Sequence, residues 1–213
     1  MQTLDQPRRK LAFALAALAG FVDAAGYLSA DQYFVSFMSG NTTRLGVELA
    51  RQPMAALIPA MLAGCFVLGV FSGAVLTAPA QGNHKPRLLT AVAILLGVAA
   101  VLGGGPWPLA SLAVLAVAMG ALNNSFQRDG QVAVGLTYMT GALVRMGQGL
   151  AARALGRDGN GWHHWLALWL ALACGAALGA IAHIHLAQNA FWLGSIYAGV
   201  LALVAQTLGA ARS

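Results

Sequence analysis

The residues of this chain that can do chemistry sit where polar groups are least expected, inside or beside long apolar runs. Asp23 lies late in the first such run. An acid in that setting is costly, so it pairs with another group or lines a pathway. In a pathway it takes up a proton or coordinates a cation that drives transport; the plainer alternative is that Asp23, near the end of its run, reaches water. Arg44 and Arg145 each follow a small hydroxyl-glycine pair, Ser39-Gly40 and Thr140-Gly141. These arginines suit an anionic solute or an ion pair with Asp23 or Glu48. Equally, they can extend to the membrane interface and anchor a helix end. Asn41, Thr42 and Thr43, with Asn123, Asn124, Ser125 and Gln127, supply neutral donors and acceptors. Singly, such groups hold helices together; as a set flanking two helix starts they are suited to line a site. Glu48 stands four residues after Arg44 and three before Arg51, which is ion-pair spacing on a helix.

Other chemistry has little support. No Walker lysine motif or dinucleotide glycine fingerprint is present. No Ser/His/acid or metal-ligand set points to an enzyme, and no cofactor or metal is expected. His183 and His185, spaced i, i+2, fall on different helix faces and read as interfacial polar residues. His163 and His164 between Trp162 and Trp165 read as an interfacial belt. Cys65 and Cys174 lie within apolar runs and read as small packing residues, not as a disulfide.

The elements that must position these residues follow from composition. Of 213 residues, 59% are hydrophobic and only 8% charged, and the mean hydropathy is +0.70. A soluble domain carries about 25% charged residues, so this chain cannot clothe a globular surface and reads as an integral membrane protein. The net charge of +6 comes from basic residues between apolar runs, where they set topology; nucleic acid is not an expected partner. Six runs approach the roughly 20 residues that a span needs: Leu11 to Leu28, Met54 to Ala78, Leu88 to Leu102, Leu109 to Leu122, Trp165 to Ile184 and Ala190 to Leu208. None alternates as a β-barrel strand would, and the expected fold is all-α. Arg8-Arg9-Lys10 before the first run imitates a signal peptide, but the run is long, contains Asp23 and precedes five more, so an uncleaved first helix is expected. With the N-terminus inside, alternating spans leave Arg44 and Arg51 outside and the other Lys and Arg residues inside, Arg212 included. That bias places both termini in the cytoplasm.

Two connections are too apolar to be simple loops. Tyr33 to Ala50 and Val134 to Ala151 align without a gap at an offset of 101 residues, with Met, Gly, Arg, Gly, Leu and Ala recurring in register, Phe37 facing Tyr138 and Ser39 facing Thr140. The same offset sets Asp23 opposite Asn124. The chain therefore reads as a duplication, residues 1–105 and 106–213 within one membrane domain. Each half has three spans, an odd number, so the halves enter the membrane in opposite directions, a plan typical of secondary transporters. Ser39 and Thr140 are placed to cap re-entrant half-helices of about 13 residues, whose starts would attract an anion or a carbonyl oxygen. Counting these elements as full crossings gives eight spans and parallel repeats, at the expense of the charge bias. Gly69-x-x-x-Gly73 and Gly175-x-x-x-Gly179 mark close helix contacts, within the chain or at the seam of a homodimer.

Gly20-Phe21-Val22-Asp23-Ala24, followed by Phe37-Met38-Ser39-Gly40-Asn41-Thr42 and by Met139-Thr140-Gly141 in the second half, resembles the YoaK family over essentially the whole chain. Its members are bacterial inner-membrane proteins of six predicted spans, classed as a domain of unknown function. Ser39 stands where the family usually has Thr, which keeps the hydroxyl. The resemblance implies the bacterial inner membrane and brings no established substrate or catalytic residue. The expected activity is transport of a small solute, anionic if the arginines face it, between two half-helix starts. Its rivals are a channel or passive facilitator and a membrane assembly protein.

Overall fold

The computed structural model describes residues 5–29, 32–78, 84–128, 131–132, 135–137, 139–159 and 161–210. Among them are eight α-helices in chain order: α1 Gln6–Ser29, α2 Met38–Arg51, α3 Leu57–Thr77, α4 Lys85–Gly103, α5 Pro108–Leu122, α6 Met139–Ala154, α7 Trp162–Leu186 and α8 Ala190–Ala210. Among the described residues, the only strands form a ribbon of two two-residue strands, β1 (Gln127–Arg128) and β2 (Gln131–Val132), paired antiparallel.

Five stretches are long and apolar enough to cross a membrane: Gln6–Ser29, Leu57–Thr77, Lys85–Gly103, Pro108–Ser125 and Trp162–Leu208. The last, at 47 residues, is about 70 Å of helix if straight, more than twice the hydrocarbon thickness. It is divided by a 3-10 turn at Ala187–Asn189, where Ala187 takes φ +48°. By contrast, α2 and α6 have 14 and 16 residues, about 21 and 24 Å of helix, short of the roughly 30 Å core. The count of eight full crossings would need both to be longer.

Burial inverts the soluble pattern. α3 turns Val67, Leu68, Phe71 and Val75 outward, and α8 turns out Ile196, Val200 and Leu203. A continuous apolar exterior of this kind suits hydrocarbon rather than water. The core is built on α1 and α5. On α1, Leu11, Leu15, Leu18, Val22 and Ala25 form one buried stripe, and Ala12, Ala16 and Ala19 bury a second face. On α5, Leu112, Leu115, Met119 and Leu122 do the same beside Ala116 and Ala118. Small residues on the second face let neighbouring backbones come close.

Those close approaches recur in pairs. α1 packs on α7, and α5 packs on α3. At Gly20 of α1 a Cβ would strike the Leu172 carbonyl of α7; at Gly120 of α5 it would strike the Phe66 carbonyl of α3. Gly175 of α7 meets Ala17 of α1 as Gly69 of α3 meets Val117 of α5. Gly179 meets Phe21 as Gly73 meets Ala121. Both glycine pairs singled out in the sequence thus serve contacts inside the chain. α1 and α7, like α5 and α3, are joined by matching sets of glycine contacts. α4 and α8 close the remaining side, joined by a Ser195 hydroxyl that donates to the Ala93 carbonyl at 2.7 Å.

Candidate functional site

Asp23 lies six residues before the end of α1, about 9 Å down the helix. The chain leaves α1 at Ser29, whose hydroxyl donates to the Gly26 carbonyl (2.8 Å), and passes through Gln32 at φ +64°. It then returns to the level of Asp23. The carboxylate Oδ1 accepts the N–H groups of Val35 (2.9 Å) and Ser36 (2.8 Å). Val35, fully buried, packs against Gly26, where a Cβ would lie 3.0 Å from its Cγ1. The strap of residues 33–37 therefore dips below the end of α1 before α2 begins.

Asn41 holds the same strap from the other side. Fully buried, it accepts the Phe34 N–H through Oδ1 (3.0 Å) and donates Nδ2 to the Phe34 carbonyl (2.6 Å). Three successive N–H groups of the strap, on Phe34, Val35 and Ser36, are thus satisfied by two side chains that the sequence marks as site residues. A buried extended segment has no sheet partner to do this, and unpaired backbone groups there are costly.

Arg44 closes the strap at its outer edge. Its guanidinium lies 3.9 Å from the centre of the Tyr33 ring, donates to the Gln32 carbonyl at 2.5 Å and stands 3.9 Å from the Glu48 carboxylate. Sequence spacing leaves Glu48 open between Arg44 and Arg51; Arg44 is the partner. Gly40 lies under the edge-on pair of Phe34 and Phe37, whose ring centres are 5.1 Å apart. A Cβ at Gly40 would run into both rings, so this glycine admits aromatic packing.

Two expectations need correction. Ser39 does not cap α2: the N-cap is Phe37, with no side-chain bond, and Ser39 is exposed within the first turn. Helical backbone begins two residues earlier because Met38 already turns back, its N–H donating to the Ser36 carbonyl at 3.1 Å. The group lying at the start of α2 is instead the Asp23 carboxylate, an anion supplied by the chain itself at the positive end of the helix. Thr140 is likewise the second residue of α6, which starts at Met139, and Tyr138 lies outside the described residues. Thr42 and Thr43 return their hydroxyls to the Met38 and Ser39 carbonyls of their own helix.

The other correction concerns register. The glycine contacts relate α1 to α5 at an offset of 100, from Gly20 to Gly120, while α2 and α6 differ by 101. Asp23 therefore corresponds to Asn123, not Asn124. Asn123, fully buried, donates to the Met119 carbonyl (3.0 Å), and its Oδ1 accepts the Thr137 hydroxyl at 3.3 Å. Thr137 is the counterpart of Ser36. Asn124 works between helices, where its amide donates to the Val70 carbonyl of α3 at 3.0 Å beside Gly73.

The candidate residues thus fall into two clusters. Asp23, Asn41 and Arg44 converge on the strap before α2; Asn123, Asn124 and Thr137 gather at the end of α5. Thr140, Gly141 and Arg145 are exposed on α6, where the Arg145 guanidinium lies 4.8 Å from the centre of the Trp165 ring. α2 packs on α3 and α6 on α7, with no extended contact between α2 and α6 among the described residues. Among the described residues the starts of α2 and α6 do not come together. Among the described residues no three His, Cys, Asp or Glu side chains gather as metal ligands would.

Comparison with known proteins agrees with this picture of membrane helices. Over 196 residues the chain is 37% identical to the UPF0700 transmembrane protein RA0705 of Rhizobium meliloti (strain 1021), covering 92% of this chain and 84% of that protein. No solved structure matches. The family model described as "Protein of unknown function (DUF1275)" matches residues 11–204. With α1 to α8 all inside or overlapping that match, the chain is a multi-pass membrane protein belonging to the DUF1275 family.

Proposed function

We propose that this protein is a secondary transporter of a small solute, built from two inverted repeats, residues 1–105 and 106–213. In this reading six helices, α1, α3, α4, α5, α7 and α8, cross the bacterial inner membrane with both termini cytoplasmic. α2 and α6 are re-entrant. The observation that carries it is the exchange of partners between halves: α1 on α7 and α5 on α3, through the same glycine-to-carbonyl contacts. Two packed units related by a pseudo-two-fold axis can rock against one another about a fixed site, which is how inverted-repeat carriers alternate access. The difference between halves also supports coupling. One strap is held by a carboxylate, Asp23, and the corresponding position in the other half is the neutral Asn123. Asp23 can exchange a proton; Asn123 cannot. Protonation removes the charge that favours the Val35 and Ser36 N–H groups and loosens the start of α2. The substrate class that fits is a small solute with a negative or carbonyl group, met by Arg44 or Arg145 when a strap opens.

Single cysteines at Ser39 and Thr140, both exposed, test the inverted topology in a chain lacking Cys65 and Cys174. Water-soluble maleimide should label Ser39→Cys from the periplasmic side and Thr140→Cys from the cytoplasmic side. Labelling of both from one face refutes inversion. Coupling is tested in proteoliposomes by screening small anions: Asp23→Asn should abolish accumulation against a gradient and spare downhill exchange. A variant that still accumulates solute rules out Asp23 as the coupling group, and a wild type that only equilibrates solute is a facilitator.

A further inference from the structure

We infer that the adjoining starts of α1 and α7 form a binding site for the phosphate group of an anionic phospholipid. Between these helix starts lies a cavity of about 300 Å³ whose wall includes Arg9, Lys10, His163 and His164. No carboxylate is among its lining residues. The Arg9 Nη1 and His164 Nε2 atoms are in direct contact, and the His163 and His164 rings lie with centres 4.0 Å apart and planes tilted by 39°. Two cationic side chains and two imidazoles are therefore gathered into one concavity. An anion between them relieves the repulsion of Arg9 and Lys10. The α7 start contributes in the same sense, because Gly161 at its N-cap offers no side chain to its first N–H groups.

The setting selects a lipid over a free ion. Phe13 and Ala167 continue the cavity wall one turn further along each helix, on helices long and apolar enough to span a bilayer. A headgroup held by Arg9 and Lys10 would lay its acyl chains along that apolar continuation. Trp162 and Trp165 stand at the same end of α7, as interfacial aromatics do. Basic pockets between helix ends are a recognised form of anionic-lipid site. This site is separate from the strap around Asp23, and its test does not depend on transport.

The experiment uses the full chain in mild detergent, with native mass spectrometry counting bound phosphatidylglycerol against phosphatidylcholine. The wild type should retain phosphatidylglycerol in preference. Arg9→Gln and Lys10→Gln should each weaken retention about fivefold, with His164→Gln as an independent variant on the other helix. Arg51→Gln, at the exposed end of α2, should retain it like wild type. Equal retention of the two lipids, or equal loss in Arg51→Gln, overturns the proposal. Displacement of phosphatidylglycerol by inorganic phosphate at matched concentration also overturns it, by assigning the cavity to a soluble anion.

Discussion

Replacement of Asp23 separates what its charge does from what its oxygen does. Its Oδ1 accepts two strap N–H groups at 2.9 and 2.8 Å. Hydrogen bonds to a charged group contribute about 1.5–3 kcal/mol each, and neutral ones about 0.5–1.5. Asp23→Asn keeps an acceptor in place, so the strap loses only the difference, about 2 kcal/mol over both bonds. Asp23→Ala removes the acceptor and leaves the Val35 and Ser36 N–H groups unpaired in a half-buried setting, at about 1–3 kcal/mol each. Local opening of residues 33–37 then becomes easier by about 2–6 kcal/mol. At 1.4 kcal/mol per factor of ten, even the lower bound raises amide exchange about 30-fold. Hydrogen-exchange mass spectrometry on the peptide covering the strap reads this directly, with the middle of α5 as internal reference. The expected order of exchange is wild type, then Asn, then Ala, with α5 unchanged. Equal protection of the strap in all three proteins would refute the claim that Asp23 holds it, and with it the proposed route from protonation to opening.

Further outcomes follow from the same geometry. Gly69→Ala and Gly175→Ala should each lower thermal stability in detergent by about 1–3 kcal/mol through overpacking against a carbonyl, whereas Gly64→Ala and Gly199→Ala, which meet nothing within 4 Å, should melt like wild type. Asn41→Ala strands both polar groups of Phe34 and should cost about 2–4 kcal/mol by chemical denaturation; Asn41→Asp should not restore it, because a carboxylate cannot donate to the Phe34 carbonyl. Glu48→Gln should shift stability by less than about 0.5 kcal/mol, since the Arg44 pair is partly exposed and 3.9 Å apart. Arg44→Ala should cost more, having lost the Tyr33 ring and Gln32 carbonyl as well, and the two melting curves compared side by side decide this.

The helices were legible because each is a long apolar run; span limits read from the sequence lie within a few residues of α1, α3, α4, α5, α7 and α8. The small-residue pattern shared by α2 and α6 repeats without a gap in the sequence and falls on two short helices of 14 and 16 residues. The register of Asp23 was not legible, because one residue separates the spacing of α1 from α5 and that of α2 from α6. The signal lay in Gly20 and Gly120, which only a three-dimensional contact makes a pair. Ser39 misled for a related reason. A hydroxyl before a small residue is the usual local cap, and nothing local reveals that a carboxylate from the preceding helix already occupies the space. Asn41 stands out in the sequence as a polar residue in an apolar stretch, but its partner is the backbone of Phe34, seven residues away.

The pairing of α1 with α7 and of α5 with α3 sets a schedule for biogenesis. α5 finds α3 already made when it leaves the ribosome. α1 must wait for α7, which is complete only at Leu186, so Ala17, Gly20 and Phe21 lack their partner while most of the chain is still being translated. At about 5–20 residues per second that interval lasts roughly 10–30 s. During it the first helix carries an uncovered small-residue face and the acid Asp23 through the insertion machinery. The first half made alone would keep that face open indefinitely, and the two halves made as separate chains should mature only when they are synthesised together in the same membrane.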